Sequence, residues 1–299
     1  MSTLAFAIER LGVRTAFAVE TPPAVGWWIE HERGTGMPPL ARTLQRGPGQ
    51  HGGTPRDAVL EPRRVTLVIG LRGATRADLD TLRDSVLALC APTPTPLRLI
   101  WTRADASERW LTAYVRSGLE FASTERLGLT QRVAVEFDAP DPLFRSAGAA
   151  LSAGVGVAPS RGVTVPLAVP LAVGSSTIAA QVVVAYPGDW DAPVVVTIQG
   201  PIRNAVIRNL TTGHILDLTG VFVASGATLT IDTAYAAGTV TDGLGASRVD
   251  WLTDQSDLTT FRLRSVSDAP AGNVLRITGD DASSTTQVFV AYAPRYLGR

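Results

Sequence analysis

Hydrophobic and polar positions alternate with a period of two over much of the chain, and Val133–Phe144, reading V-A-V-E-F-D-A-P-D-P-L-F, shows how such a run ends. Val133, Val135 and Phe137 alternate with Ala134 and Glu136, the pattern of a strand with one buried face. Pro140 and Pro142 lack N–H donors and hold the residues before them extended, so Ala139-Pro140-Asp141-Pro142 stops the pairing in a stiff corner. The corner predicts a domain boundary.

Upstream, Leu4–Glu20 alternates loosely and supplies the first strands, and Ala24–Glu30 forms another. Trp27 and Trp28 fall on opposite faces of that strand, so one either emerges from the core as an interface residue or is half-covered by a loop. Arg64–Leu71 is a short apolar strand leading into the one clear helix, Thr75–Cys90. Thr75 is placed to cap its first turn with Asp78, and Leu79, Leu82, Val86 and Leu89 recur on one face. The proline-rich run Ala91–Pro96 ends it. Leu97–Arg103 and Arg109–Ser117 read as a hairpin around Ala104–Glu108, and Leu127–Phe137 closes the domain. One amphipathic helix among strands is expected to lie against a sheet and complete its core.

Arg145–Arg161 is mostly Ala, Gly and Ser, which reads as a flexible connector or a weak edge strand. Nine short strands follow, at Gly162–Val173, Thr177–Tyr186, Val194–Gly200, Val206–Asn209, His214–Leu218, Ala227–Asp232, Phe261–Ser265, Asn273–Thr278 and Gln287–Tyr292. Their spacing predicts a β-sandwich. The expected organisation is residues 1–145, a connector over 146–162 and a second domain over 163–299.

Arg33–Arg56 breaks the alternation. Six Gly and four Pro lie between Gly34 and Ala58 with few large apolar residues, so the segment has no core of its own and is expected as a long loop or extended arm. Arg33–Arg76 carries eight Arg against Asp57 and Glu61 alone, so Arg42, Arg46 and Arg56 become candidates for an acidic neighbour or passing DNA.

The overall composition narrows the chemistry. Net charge is zero, which gives no global drive toward nucleic acid or membrane. Every basic residue is Arg, a pattern matching either GC-rich coding or bidentate interface pairing. The single cysteine, Cys90, forms no internal disulfide and falls on the apolar side of the helix. Charge comes too early at the N-terminus for a signal peptide, and no apolar run is long enough to span a bilayer. His31, His51 and His214 are far apart, and there is no H-E-x-x-H, C-x-x-C, P-loop or G-x-S-x-G motif, so no metal, cofactor or enzyme is expected. Asp138 and Asp141 as a glycosidase pair are set against a proline-flanked structural corner. Trp190 between Asp189 and Asp191 is either a sugar-stacking platform or a core residue in a turn, and Trp251 is the second candidate platform.

The strand ending in Phe137-Asp138-Ala139-Pro140-Asp141-Pro142, followed by an aromatic and preceded by a helix and strands, resembles the N-terminal domain of the distal tail proteins of long-tailed, non-contractile bacteriophages. The similarity runs from about Arg63 to Phe144. Tyr186–Trp190, Thr211–Gly213, Trp251 and Ala271–Asn273 resemble the galectin-like C-terminal domain of the same family, although the galectins' own H-N-P-R and W-x-x-E signatures are absent. The resemblance implies a mainly β protein: a split barrel with one helix, then a galectin-like sandwich. It also implies a virion protein made in the host cytoplasm that forms a homo-hexameric ring joining the tail tube protein to the tail-tip hub protein, with receptor-binding proteins as further candidate partners. DNA passes through such a ring, so no stable nucleic-acid binding is expected. The competing reading is a host-surface carbohydrate-binding module.

Overall fold

The computed structural model describes residues 5–19, 22–121, 128–146, 151–156, 178–235 and 238–299. The chain is mainly β and forms two compact units, Met1–Gly148 with Tyr296–Arg299, and Ala149–Arg295.

The first unit contains β1 (Ala5–Arg10), β2 (Val13–Val19), β3 (Gly26–Arg33), β4 (Leu40–Gln45), β5 (Thr54–Leu60), β6 (Arg63–Arg72), α1 (Arg76–Leu89), β7 (Leu97–Thr102), β8 (Glu108–Gly118), β9 (Thr130–Ala139) and β10 (Phe144–Ser146). Strands pair in the order β8-β7-β1-β2-β3-β6-β9, and β9 pairs back onto β8, closing a seven-stranded barrel. Closure removes the sheet edges that would otherwise seek partners. All these pairings are antiparallel except β2 with β3. The inward positions of β6 and β9, Val65, Leu67, Ile69, Leu71, Val133, Val135 and Phe137, are buried together with Phe6, Ile8, Leu99, Trp101 and Leu111.

Helix α1 forms where its sequence signals place it. Thr75 Oγ1 accepts from the Asp78 N–H at 3.2 Å and Asp78 Oδ2 accepts from the Thr75 N–H at 2.9 Å, a complete capping box. Leu79, Val86 and Cys90 are buried against the barrel, with Leu82 and Leu89 partly covered. Burial of each large apolar side chain contributes about 1.5–3 kcal/mol. No helix among the described residues is long and apolar enough to cross a membrane.

The proline corner lies a few residues before the end of the first unit's main segment at Gly148. The chain does not leave the unit there: Asp141 Oδ1 accepts from the Leu143 N–H at 3.3 Å, and β10 pairs with β8 through Arg145↔Trp110 and Ser146↔Arg109. Phe144 is fully buried against Trp101, ring centroids 5.3 Å apart. Both β9 and β10 run antiparallel to β8, β9 against Tyr114–Gly118 and β10 against Arg109 and Trp110, so the chain continues past the two prolines in the same direction along its own barrel.

The second unit contains β11 (Leu151–Gly156), β12 (Ile178–Val184), β13 (Ala192–Gln199), β14 (Ile202–Asn209), β15 (Ile215–Asp217), β16 (Phe222–Val223), β17 (Thr228–Asp232), β18 (Thr239–Asp242), β19 (Arg262–Leu263), β20 (Asn273–Asp280) and β21 (Gln287–Tyr292). One sheet runs β11-β21-β13-β17-β18, with β19 also on β13; the other runs β12-β20-β14-β15, with β16 on β14. Their inner faces share one core, including Val196, Ile198, Ile207, Leu229, Ile231, Leu275, Ile277, Val288 and Val290. Leu151–Gly156, within the expected connector, is the edge strand of the first sheet. The expected strand Gly162–Val173 lies outside the described residues.

Candidate functional site

The segment predicted as a loop or arm is a regular ribbon. Strands β4 and β5 pair only with each other, through Leu40↔Leu60, Ala41↔Val59, Arg42↔Ala58, Leu44↔Pro55 and Gln45↔Thr54. Pro55 is tolerated because the ribbon is all edge. Its tip is held by Gln50, whose N–H donates to Gly47 O at 3.1 Å and whose Oε1 accepts from the Gly47 N–H at 2.9 Å. Both faces are open to solvent. Leu44 is 57% exposed, Val59 is 63% exposed, and Met37 before the ribbon is 67% exposed. A two-stranded ribbon with no third layer is marginally stable in water, so this one is built to be covered or braced.

Arg42, Arg46 and Arg56 all lie on the ribbon and are exposed. Arg56 donates to Gln45, while Arg42 and Arg46 have no ion pair among the described residues. Against these cations the ribbon carries Asp57 alone. The tryptophans expected at the same interface are elsewhere. Trp28 is buried, its indole lying over Gly70, where an added Cβ would sit 2.2 Å from the ring. Trp27 is half-buried, packs on Phe17 with centroids 5.5 Å apart, and donates its indole N–H to Ala16 O at 2.9 Å. Of the two, only Trp27 keeps part of its surface open.

The bracing is at the base. Gly34 has φ +81°, and a Cβ there would lie 1.9 Å from Arg64 O, so only glycine lets the chain turn this close to β6. Arg63, only 2% exposed, donates Nη1 to Gly34 O at 2.9 Å and to Gly36 O at 2.5 Å, Nε to Pro142 O at 2.8 Å, and Nη2 to Leu297 O at 2.7 Å. Its guanidinium also lies 4.8 Å from the centre of the Phe144 ring. Burial pulls its pKa down to about 10, so it stays charged at neutral pH and strengthens all four bonds to main-chain carbonyls.

One arginine thus joins the ribbon base, the proline corner and the C-terminal tail. The tail is fixed at further points: Arg109 stacks 3.6 Å from the centre of the Tyr296 ring and donates to Gly298 O at 2.6 Å. Glu32 accepts from the Trp101 indole at 2.7 Å on one oxygen and pairs with Arg299 at 2.5 Å on the other. The Arg299 N–H donates to Thr35 O at 3.2 Å.

Of the boundary motif, Phe137 and Ala139 are buried, Pro142 supplies its carbonyl to Arg63, and Asp141 pairs with Arg145 at 2.8 Å. Asp138 pairs with Arg116 at 2.9 Å and Arg64 at 3.8 Å. Each of the two carboxylates is thus engaged by arginine. A hollow of about 570 Å³ at the ribbon base is lined by Pro39, Pro62, Arg64, Arg116, Asp138 and Pro140, adding a rigid seat beside the ribbon.

The two candidate sugar platforms lie at different places in the second unit. Trp190 is half-buried, and its carbonyl accepts from the Tyr186 hydroxyl at 2.6 Å; Asp191 is tied to the Arg264 side chain at 3.0 Å and the Ser265 N–H at 2.9 Å. Trp251 packs against the sandwich core and carries the Arg248 guanidinium 5.1 Å from its ring centre. Both tryptophans are half-buried, and Trp251 lines an open hollow of about 580 Å³ together with Phe222, Val223, Thr228 and Leu244. Among the described residues no group of three or more His, Cys, Asp and Glu is arranged to hold a metal ion.

Sequence reasoning missed Arg63, Arg109, Gly34 and the tail. Arg63 had a signal: it shares its strand face with Val65, Leu67, Ile69 and Leu71, so the alternation itself points it inward.

No protein-family model matches the chain, and no curated protein matches it in sequence. Among solved structures it is similar to the SPP1 Dit protein, described as a paradigm of the hub adsorption apparatus in phages infecting Gram-positive bacteria, with a TM-score of 0.62 and 12% identity over 97% of this chain and 98% of that one. The phage P2 baseplate in its activated conformation with Ca also matches, at a TM-score of 0.45 and 9% identity over 94% of this chain and 99% of that one, too distant to add to the comparison. Both halves of the chain are therefore included in a shared fold, that of the SPP1 Dit protein.

Proposed function

We propose that the chain is a structural subunit of a phage tail tip, with six copies closing a ring between the tail tube protein and the tail-tip hub protein. The observation that carries this is the braced ribbon: Leu44, Val59, Arg42 and Arg46 are held out on a two-stranded element whose base is anchored by a buried arginine. Such an element has a physical reason to exist if a neighbour covers it. A closed ring needs two different patches per subunit, and a ribbon reaching into a seat such as the Pro39–Pro140 hollow supplies that asymmetry. Interfaces of this permanence bury on the order of 2,000 Å² or more. The fold shared with SPP1 Dit supports the same reading, and the role is mechanical, with no catalysis. The second unit is a candidate carrier of receptor-binding proteins.

The test is a deletion that spares the base. Removing Gly34–Pro55 would also remove two of the carbonyls that Arg63 binds, so Leu40–Leu60 is replaced by two glycines, bridging Pro39 and Glu61, whose main chains are joined by a 2.9 Å hydrogen bond. Light scattering after size exclusion, with negative-stain images, is expected to show six-subunit rings for the parent, alone or mixed with hub protein, and folded monomers for the deletion. Rings formed equally by both proteins would refute the role of the ribbon. Absence of rings in the parent even with hub protein would refute the ring.

A further inference from the structure

The outer face of the β12-β20-β14-β15 sheet carries two arginines directly opposite one another. The register places Arg208 on β14 against Arg276 on β20, with Gln181 of β12 on the far side of Arg276 and Ile215 of β15 on the far side of Arg208. Like charges facing each other across adjacent strands are destabilising, yet among the described residues nothing nearby relieves these two. In the same unit Arg203 pairs with Asp281, Arg248 with Asp242 and Arg264 with Asp191, while Arg262 is saturated by main-chain carbonyls. Among the described residues of this unit, Arg208 and Arg276 are the arginines left without a hydrogen bond, ion pair or ring contact. Asp217, diagonal to Arg208, is turned to its own loop, accepting from the Thr219 N–H at 2.8 Å and the Thr219 hydroxyl at 2.6 Å.

The pair lies in an open hollow of about 320 Å³ lined by Val206, Arg208, Leu210, Arg276 and Thr278. Leu210 is 45% exposed, and Val183, on the far side of Val274 of β20, is 57% exposed. We infer that this face docks an acidic segment of another protein, whose carboxylates are received by Arg208 and Arg276 and whose apolar side chains cover Leu210 and Val183. The charge selects an anionic partner. The apolar flanks select a protein over a polyphosphate chain, because they gain only when apolar surface covers them. A local rule broken without internal compensation is where a functional site is expected. The inference uses neither the ribbon nor the ring and stands apart from both.

The experiment uses the full chain carrying R42Q/R46Q/R56Q, so that the ribbon contributes no anion binding, and measures poly-L-glutamate by titration calorimetry in low salt. Adding R208Q/R276Q is expected to weaken binding at least tenfold, whereas adding R203Q leaves it unchanged. Thermal scans of the Gln variants check folding, with the midpoint of R208Q/R276Q equal to or above its parent because the repulsion is gone. Equal affinity with and without R208Q/R276Q would overturn the inference. So would binding of polyphosphate through the pair with no binding of poly-L-glutamate.

Discussion

Replacing Arg63 by methionine tests whether the ribbon, the corner and the tail form one braced assembly. Methionine keeps a long unbranched stem against Phe144 and removes every donor. Four carbonyls, of Gly34, Gly36, Pro142 and Leu297, then lose their partner. Hydrogen bonds from a charged donor contribute about 1.5–3 kcal/mol each, and removing the buried guanidinium returns several kcal/mol of desolvation cost. The residues bearing these carbonyls are exposed or half-buried, so water can reach some of the lost acceptors. The net loss expected is about 3–5 kcal/mol, the usual range for breaking a buried charged network. For a unit of this size that is a fall of roughly 6–20 °C in midpoint at about 2–4 °C per kcal/mol. Hydrogen exchange read by mass spectrometry locates the effect: the Arg299 amide, which donates to Thr35, and the neighbouring main chain lose protection. Arg63→Lys, with one compact ammonium in place of the planar fork, falls between the parent and the methionine variant. A methionine variant within 1 kcal/mol of the parent, with unchanged exchange at the tail, would refute the reasoning.

Gly34→Ala puts a methyl group 1.9 Å from Arg64 O at φ +81°; the left-handed backbone alone costs about 1–2 kcal/mol, so a loss of at least 2 kcal/mol in urea unfolding is expected, against no change, or a small one, for Gly36→Ala, whose backbone is not left-handed and whose Cβ meets nothing. Cys90 is fully buried and burial raises its thiol pKa to about 12, so iodoacetamide at pH 8 is expected to leave it unmodified until the protein unfolds. Because the folded value lies above the unfolded value of 9, the contribution is complete below about pH 9 and is lost as pH rises toward 12, on the order of 4 kcal/mol in all; Cys90→Ala is expected to flatten that alkaline decline in stability-versus-pH measurements. The intact protein is expected to pass a duplex-DNA column at near-physiological salt, since Arg208, Arg276 and the ribbon arginines are too few and too scattered for phosphate-driven binding; retention would contradict it.

Local signals sufficed where the energetic cause is local. The capping box of α1, its apolar stripe and the proline run after it fix that helix without help from the rest of the chain, and period-two alternation marks β6, β9, β13 and β20 because each has one dry face. The same alternation pointed Arg63 inward, although a charged residue among apolar ones reads as a surface residue until its four acceptors are in view. The ribbon was hidden for the opposite reason: β4 and β5 bury almost nothing, so neither carries a hydrophobic period, and only cross-strand hydrogen bonding reveals them. Trp28 was a candidate because tryptophan suits both cores and interfaces; Gly70, distant in sequence, leaves the space its ring fills in the core.

What the sequence by itself determined is the strand-rich class, the single helix, the proline corner and the basic character of the Arg33–Arg76 region, all consequences of side-chain period, proline stereochemistry and charge. What only the tertiary structure decided is which groups meet: the closure of β9 on β8, the return of Tyr296–Arg299 to Arg63 and Arg109, and the opposition of Arg208 to Arg276. Those contacts join residues tens to hundreds of positions apart, and their existence rests on register and on the burial of charge, which no short stretch of sequence encodes.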